Sequence, residues 1–103
     1  KMVNDKYLYL IQLCMELQRG EDGAIEERCI EWKGEKGPTI FFKFYGHIPI
    51  LDIDIFVNGW RNGASPTHSY QFHFNECLEK EKFGECRDLL LTLLKKEGKH
   101  GIL

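Results

Sequence analysis

Asp52 and Asp54 stand two residues apart in the run Ile50–Asn58. In a β-strand that spacing puts both carboxylates on one face, ~6.6–7 Å apart along the strand. Carboxylates so placed can hold a metal ion or divide acid and base roles. His73 lies in the aromatic segment Ser69–Asn75. Antiparallel pairing of that segment with Ile50–Asn58 would bring His73 near Asp52, and a neighbouring carboxylate raises a histidine's pKa. Asp52, Asp54 and His73 thus form the candidate small-molecule or metal site. The competing expectation, the solvated face of an amphipathic strand, is favoured. No nucleophile, phosphate loop or third carboxylate stands ready to complete a site.

The remaining reactive residues fall short of a known pattern. His68 and His73, five apart on a strand, point to opposite faces and cannot share an ion. The four cysteines, Cys14, Cys29, Cys77 and Cys86, show no CxxC pair and no zinc-finger spacing. On one continuous helix Cys77 and Cys86 would lie about 13 Å apart, too far for a disulfide. The expectation is four free thiols, no metal and no cofactor. The glycine clusters fit neither the P-loop nor the dinucleotide fingerprint. Lys95, Lys96, Lys99 and His100 form a small basic cluster. Helix capping and solubility explain it as well as nucleic acid does.

The segment Asn58–His68 is the more suggestive one. Asn58-Gly59 and Asn62-Gly63 flank Trp60 and Arg61, and Asn-Gly pairs favour turns with positive φ. The connection is longer than a hairpin needs, and long loops in compact domains are often functional. Trp and Arg are the types most enriched at interface hot spots. Asn58, Trp60, Arg61 and Asn62 are therefore the expected partner-binding residues. The alternative for Trp60 is a lid folded back over the sheet edge.

These residues need elements to hold them. In Ile50–Asn58, Leu51, Ile53, Ile55 and Val57 alternate with Asp52, Asp54, Phe56 and Asn58, the period of a half-buried strand. Thr39–Tyr45, joined through Gly46–Pro49, is its hairpin partner. Ser69–Asn75 is a third strand, with Tyr70, Phe72 and Phe74 on one face and Gln71 and His73 on the other. Glycine turns bracket Ala24–Lys33, which favours a charged edge strand with Ile30 and Trp32 on one face over a short helix. Tyr7–Leu17 fits strand and helix almost equally. Asn4 and Gly20 would cap and end a helix, but the short Gly20–Gly23 link suits a hairpin and tips the reading to strand. Phe83, Cys86, Leu89, Leu90, Leu93 and Leu94 make the apolar stripe of a C-terminal helix, with Gly98 as its C-cap. A break at Gly84 and continuity through it are equally open. The expected architecture is α+β: an antiparallel meander of four or five strands with a C-terminal amphipathic helix packed on one face.

The composition bounds the function. The chain has 103 residues, 43% hydrophobic and 29% charged, as a folded globular domain has, and it is expected to form one domain over residues 1–103. Fourteen Lys and Arg against sixteen Asp and Glu leave a formal charge of −2, which argues against a dedicated nucleic-acid binder. No apolar run approaches the ~20 residues of a membrane span. Lys1 reads as a cloning remnant or trimming scar and Met2 as the native start, with no secretory leader behind it. The expected location is cytoplasmic. Two Trp, four Tyr and seven Phe exceed what one small core needs. Tyr7, Tyr9, Trp32, Tyr45 and Phe56 are candidates for the surplus, and homodimerisation through a sheet face or edge is its simplest use. By size and class alone the chain resembles small bacterial or phage proteins that inhibit a partner. The leading expectation is a non-catalytic inhibitor, immunity or adaptor module that binds another protein by its sheet and the Trp60–Arg61 loop. The alternative is the small-molecule or metal-binding domain, enzymatic or not, built on Asp52, Asp54 and His73.

Overall fold

A computed structural model describes residues 4–30, 37–74 and 77–99 of the chain. The order of elements is α1 (Asp5–Leu17), β1 (Thr39–Tyr45), β2 (Ile50–Phe56), β3 (His68–His73) and α2 (Lys80–Lys96). The fold is α+β with an antiparallel sheet in the order β1-β2-β3. Three strands are present among the described residues, where four or five were expected. Two segments expected as strands account for the difference.

The first is Tyr7–Leu17, which is helix α1 and not a strand. Alternation of Tyr7, Tyr9, Ile11, Leu13, Met15 and Leu17 leaves Leu8, Leu10 and Cys14 on the opposite face of a strand. A helix instead gathers Tyr7, Leu10, Leu13, Cys14 and Leu17 into one stripe, and all five are buried. Asn4 caps it as expected: its Oδ1 accepts the Lys6 N–H at 2.9 Å. The second is Ala24–Lys33. Its only ladder contact among the described residues is an isolated bridge between Arg19 and Ile25. Beyond that bridge it makes single bonds and no ladder: Thr39 Oγ1 donates to the Arg28 carbonyl at 3.1 Å, and the Ile30 N–H to the Trp60 carbonyl at 3.0 Å. Trp32 and Lys33 lie outside the described residues.

The β1–β2 hairpin forms with Lys43 opposite Asp52 and Phe41 opposite Asp54. Across β2, Asp52 faces Gln71, Asp54 faces Ser69 and Ile50 faces His73. The inner face of the sheet presents Leu51, Ile53, Ile55 and Phe72 to the stripes of both helices in one buried cluster. From α2 come Phe83, Cys86, Leu90, Leu93 and Leu94, with Leu89 partly buried beside them. Gly84 sits inside α2 without breaking it. Gly98 follows with φ of +72°. Its N–H donates to the Lys95 carbonyl and the Lys99 N–H to that of Leu94, the paired bonds of a Schellman end.

Two cations close the other helix. Lys99 Nζ donates to the carbonyls of Glu16, Leu17 and Arg19 at 3.1, 2.9 and 2.8 Å. Arg28 Nη2 donates to the Leu17 carbonyl at 3.1 Å and to Glu97 Oε1 at 3.0 Å. The last carbonyls of α1 have no partner within their own helix. Here residues from distant parts of the chain supply it. A Cβ at Gly37 would collide with the Arg28 guanidinium, so any larger residue there would have to displace that side chain.

Candidate functional site

The outer face of the sheet carries the expected carboxylates. Asp52 accepts a hydrogen bond from Gln71 Nε2 at 2.9 Å and Asp54 one from Ser69 Oγ at 2.8 Å. Tyr45 also bonds to Asp52, which raises the phenol's pKa above its ordinary value. Both carboxylates are thus engaged by neutral strand neighbours. His73 stands opposite Ile50, which makes it the diagonal cross-strand neighbour of Asp52 on that face, as the expected pairing requires. No group of three or more His, Cys, Asp or Glu among the described residues is placed to hold a metal. Asp52, Asp54 and His73 thus share the outer face of the sheet without forming a metal-binding group of three.

The long loop has the turns its Asn-Gly pairs promise. Gly59 and Gly63 have φ of +93° and +81°. The Gly59 N–H donates to the Phe56 carbonyl, and the Ala64 N–H to that of Arg61. Thr67 fastens the base of the loop, with its N–H and its hydroxyl both on the Ile55 carbonyl. Trp60 is anchored through its backbone. Its N–H donates to Thr39 Oγ1 at 3.1 Å and its carbonyl accepts the Ile30 N–H at 3.0 Å. Its ring lies half-buried, 6.3 Å from that of Phe41, which in turn lies 4.9 Å from Phe56. Arg61, Asn58 and Asn62 are exposed. The loop thus presents Arg61 outward, while Trp60 shelters the buried Phe56 together with Phe41.

The sequence reading missed a stronger feature beside it. Strand β1 is an edge of the sheet among the described residues. Phe41, Phe42 and Phe44 are 46%, 43% and 60% exposed on it. The aromatic surplus was expected elsewhere, but Tyr7 and Phe56 are buried. Met15 of α1, 46% exposed, adds to this apolar margin beside Phe42. Cys14, Met15, Gln18, Ile25, Ile40 and Phe42 line a cleft of about 200 Å³ between α1 and β1. The Ile40 N–H donates to Gln18 Oε1 at 2.9 Å, away from β2. Outward and inward residues alternate along an antiparallel ladder. Phe42 and Phe44 therefore also turn their N–H and C=O groups outward, along an open edge. The available signal was the run Phe41-Phe42, which puts an aromatic ring on both faces of one strand. An interior strand buries both, whereas an edge strand leaves them exposed.

The basic cluster dissolves in the fold. Lys95 and Lys96 are exposed, Lys99 is turned inward onto carbonyls, and His100 lies outside the described residues. Among the described residues no helix is long and apolar enough to cross a membrane. Compared with family models, curated proteins and solved structures, the chain matches none.

Proposed function

We propose that the chain is a non-catalytic protein-binding module, an inhibitor, immunity or adaptor protein acting by contact in the cytoplasm. The supporting observation is the open strand β1, with three exposed phenylalanines and the outward backbone groups of Phe42 and Phe44. Long, flat, apolar edge strands are templates for another chain, and proteins normally blunt them with charge, proline or a bulge. β1 has none of these except Lys43 near its end. Strand addition supplies main-chain bonds for affinity and side-chain pockets for specificity. The Trp60–Arg61 loop adjoins this edge through the Trp60–Phe41 contact. It adds a guanidinium with five donors to an apolar surface.

Capture of a partner from cell extract by the wild-type chain, compared with Phe44→Lys and Trp60→Ala, tests the reading. Each variant is expected to weaken binding by about 2 kcal/mol or more, as hot-spot truncations do. Trp60→Ala keeps both of its backbone bonds, so its melting temperature should fall only modestly. A destabilised Trp60→Ala protein that binds normally would make the ring a lid and not a contact. Asp52→Asn and Asp54→Asn should leave binding intact. Loss of function in those variants with the fold unchanged would transfer the function to the outer sheet face.

A further inference from the structure

We infer that Asn62 is a modification site, where the chain converts its own side-chain amide to a carboxylate without an enzyme. The chemistry needs an asparagine on exposed backbone, followed by a residue with no side chain to shield its nitrogen. The loop offers this pair twice, as Asn58-Gly59 and Asn62-Gly63. The Gly63 nitrogen attacks the Asn62 side-chain carbonyl carbon and closes a succinimide ring. The bond from that carbon to the side-chain nitrogen breaks, and the nitrogen leaves as ammonia with the proton that Gly63 gives up. Water, the only co-reactant, then opens the ring. Cleavage on the side-chain side gives aspartate, cleavage on the backbone side gives isoaspartate, and both restore the Gly63 N–H. Either product carries a carboxylate where a neutral amide stood.

The fold separates the two pairs. Gly59 is half-buried, and its N–H, which carries the attacking nitrogen, donates to the Phe56 carbonyl at 3.1 Å. Trp60, the next residue, is held at both its N–H and its carbonyl. Attack on Asn58 must first open this turn. Gly63 is exposed together with Arg61 and Asn62. A Cβ placed on it would meet nothing within 4 Å, so the approach to its nitrogen is unobstructed. Its turn closes through the Ala64 N–H on the Arg61 carbonyl at 3.0 Å, and the Asn62–Gly63 peptide at the centre takes no part in that bond. The product changes what the loop presents. Arg61 is the adjacent residue, and a carboxylate beside its guanidinium cancels that charge. The chain becomes one unit more negative than its formal −2. The inference goes beyond the protein-binding reading and does not depend on it.

The native protein, incubated at neutral pH in heavy-oxygen water and then digested, gives the test by mass spectrometry of the loop peptides. Asn62 should take up heavy oxygen roughly 2- to 10-fold faster than Asn58, because the Gly59 hydrogen bond must open first. In guanidinium chloride, where the full chain exposes both pairs alike, the two rates should converge. Methyl transfer by an isoaspartyl methyltransferase should map to position 62. On an anion-exchange column the early acidic species should be missing from Asn62→Gln, whose longer side chain closes a ring far more slowly, and present in Asn58→Gln. Equal rates in the folded chain, or Asn58 converting first, would overturn the assignment. A difference that persists in guanidinium chloride would belong to the local sequence and not to the fold, and would overturn it too. Retention of both amides in the folded chain would do the same, whatever the unfolded chain does.

Discussion

The four thiols have unequal environments, and their reactivity follows from burial. Cys14, Cys29 and Cys86 are buried, and Cys77 is exposed. Burial pushes the Cys86 thiol up to about 12 and the Cys14 thiol up as well, with Cys86 nearby adding to the shift. The thiolate is the reactive form, so at pH 8 an aromatic disulfide reagent should label Cys77 fast. The other three should react only after denaturant is added. Rapid labelling of Cys14 or Cys86 in the native protein would contradict the packing of α1 on α2. The same shifts carry a sign for stability. A folded-state pKa above the unfolded value of 9.0 gives stability that is present below pH 9 and lost as pH rises toward 12. Alkaline melting curves should therefore fall over that window, and Cys86→Ala should flatten the decline.

Two glycines in and after α2 have opposite roles. Gly84 lies within the helix, and a Cβ there would meet only the Arg87 side chain, at 3.7 Å. Gly84→Ala should stabilise the protein by roughly 0.5–1 kcal/mol, the helix cost of glycine. Gly98 is also in open space, but its φ is +72°, so Gly98→Ala should destabilise by about 1–2 kcal/mol. Paired denaturant titrations check both signs, and equal effects would refute the difference in backbone conformation. Elements with one clear period were legible in the sequence: the Ile50–Phe56 alternation, its hairpin partner and the Phe83–Leu94 stripe. Tyr7–Leu17 was ambiguous because a continuous apolar run satisfies both periods, and only the placement of Leu10 and Cys14 discriminates. Segment 24–30 misled because its backbone makes scattered single bonds, to Gln18, Thr39 and Trp60, and no continuous ladder. The open β1 edge was hidden for another reason. Exposure of Phe42 and Phe44 depends on strand order, which no local pattern records.

At the scale of the whole molecule, Lys99 and Arg28 tie the C-terminal end of α1 to the segment after α2. Lys99 reads in the sequence as one more surface lysine, yet its side chain is only 15% exposed. Hydrogen bonds to a charged donor contribute about 1.5–3 kcal/mol each way they are counted, so Lys99→Met should cost on the order of 2 kcal/mol in a thermal melt. An unchanged melt would mean that water replaces the ammonium at no loss. The clasp also decides how the molecule would carry a mechanical load. Force applied between its two ends reaches α1 on one side and Lys99 on the other, and the ammonium joins those points directly. Tension would pass through three carbonyl bonds sharing one nitrogen before the sheet felt any strain. The strands between residues 39 and 73 lie inside the loop that Lys99 and Arg28 close together, so the first rupture in an optical trap should belong to this two-cation clasp and should come at lower force in Lys99→Met.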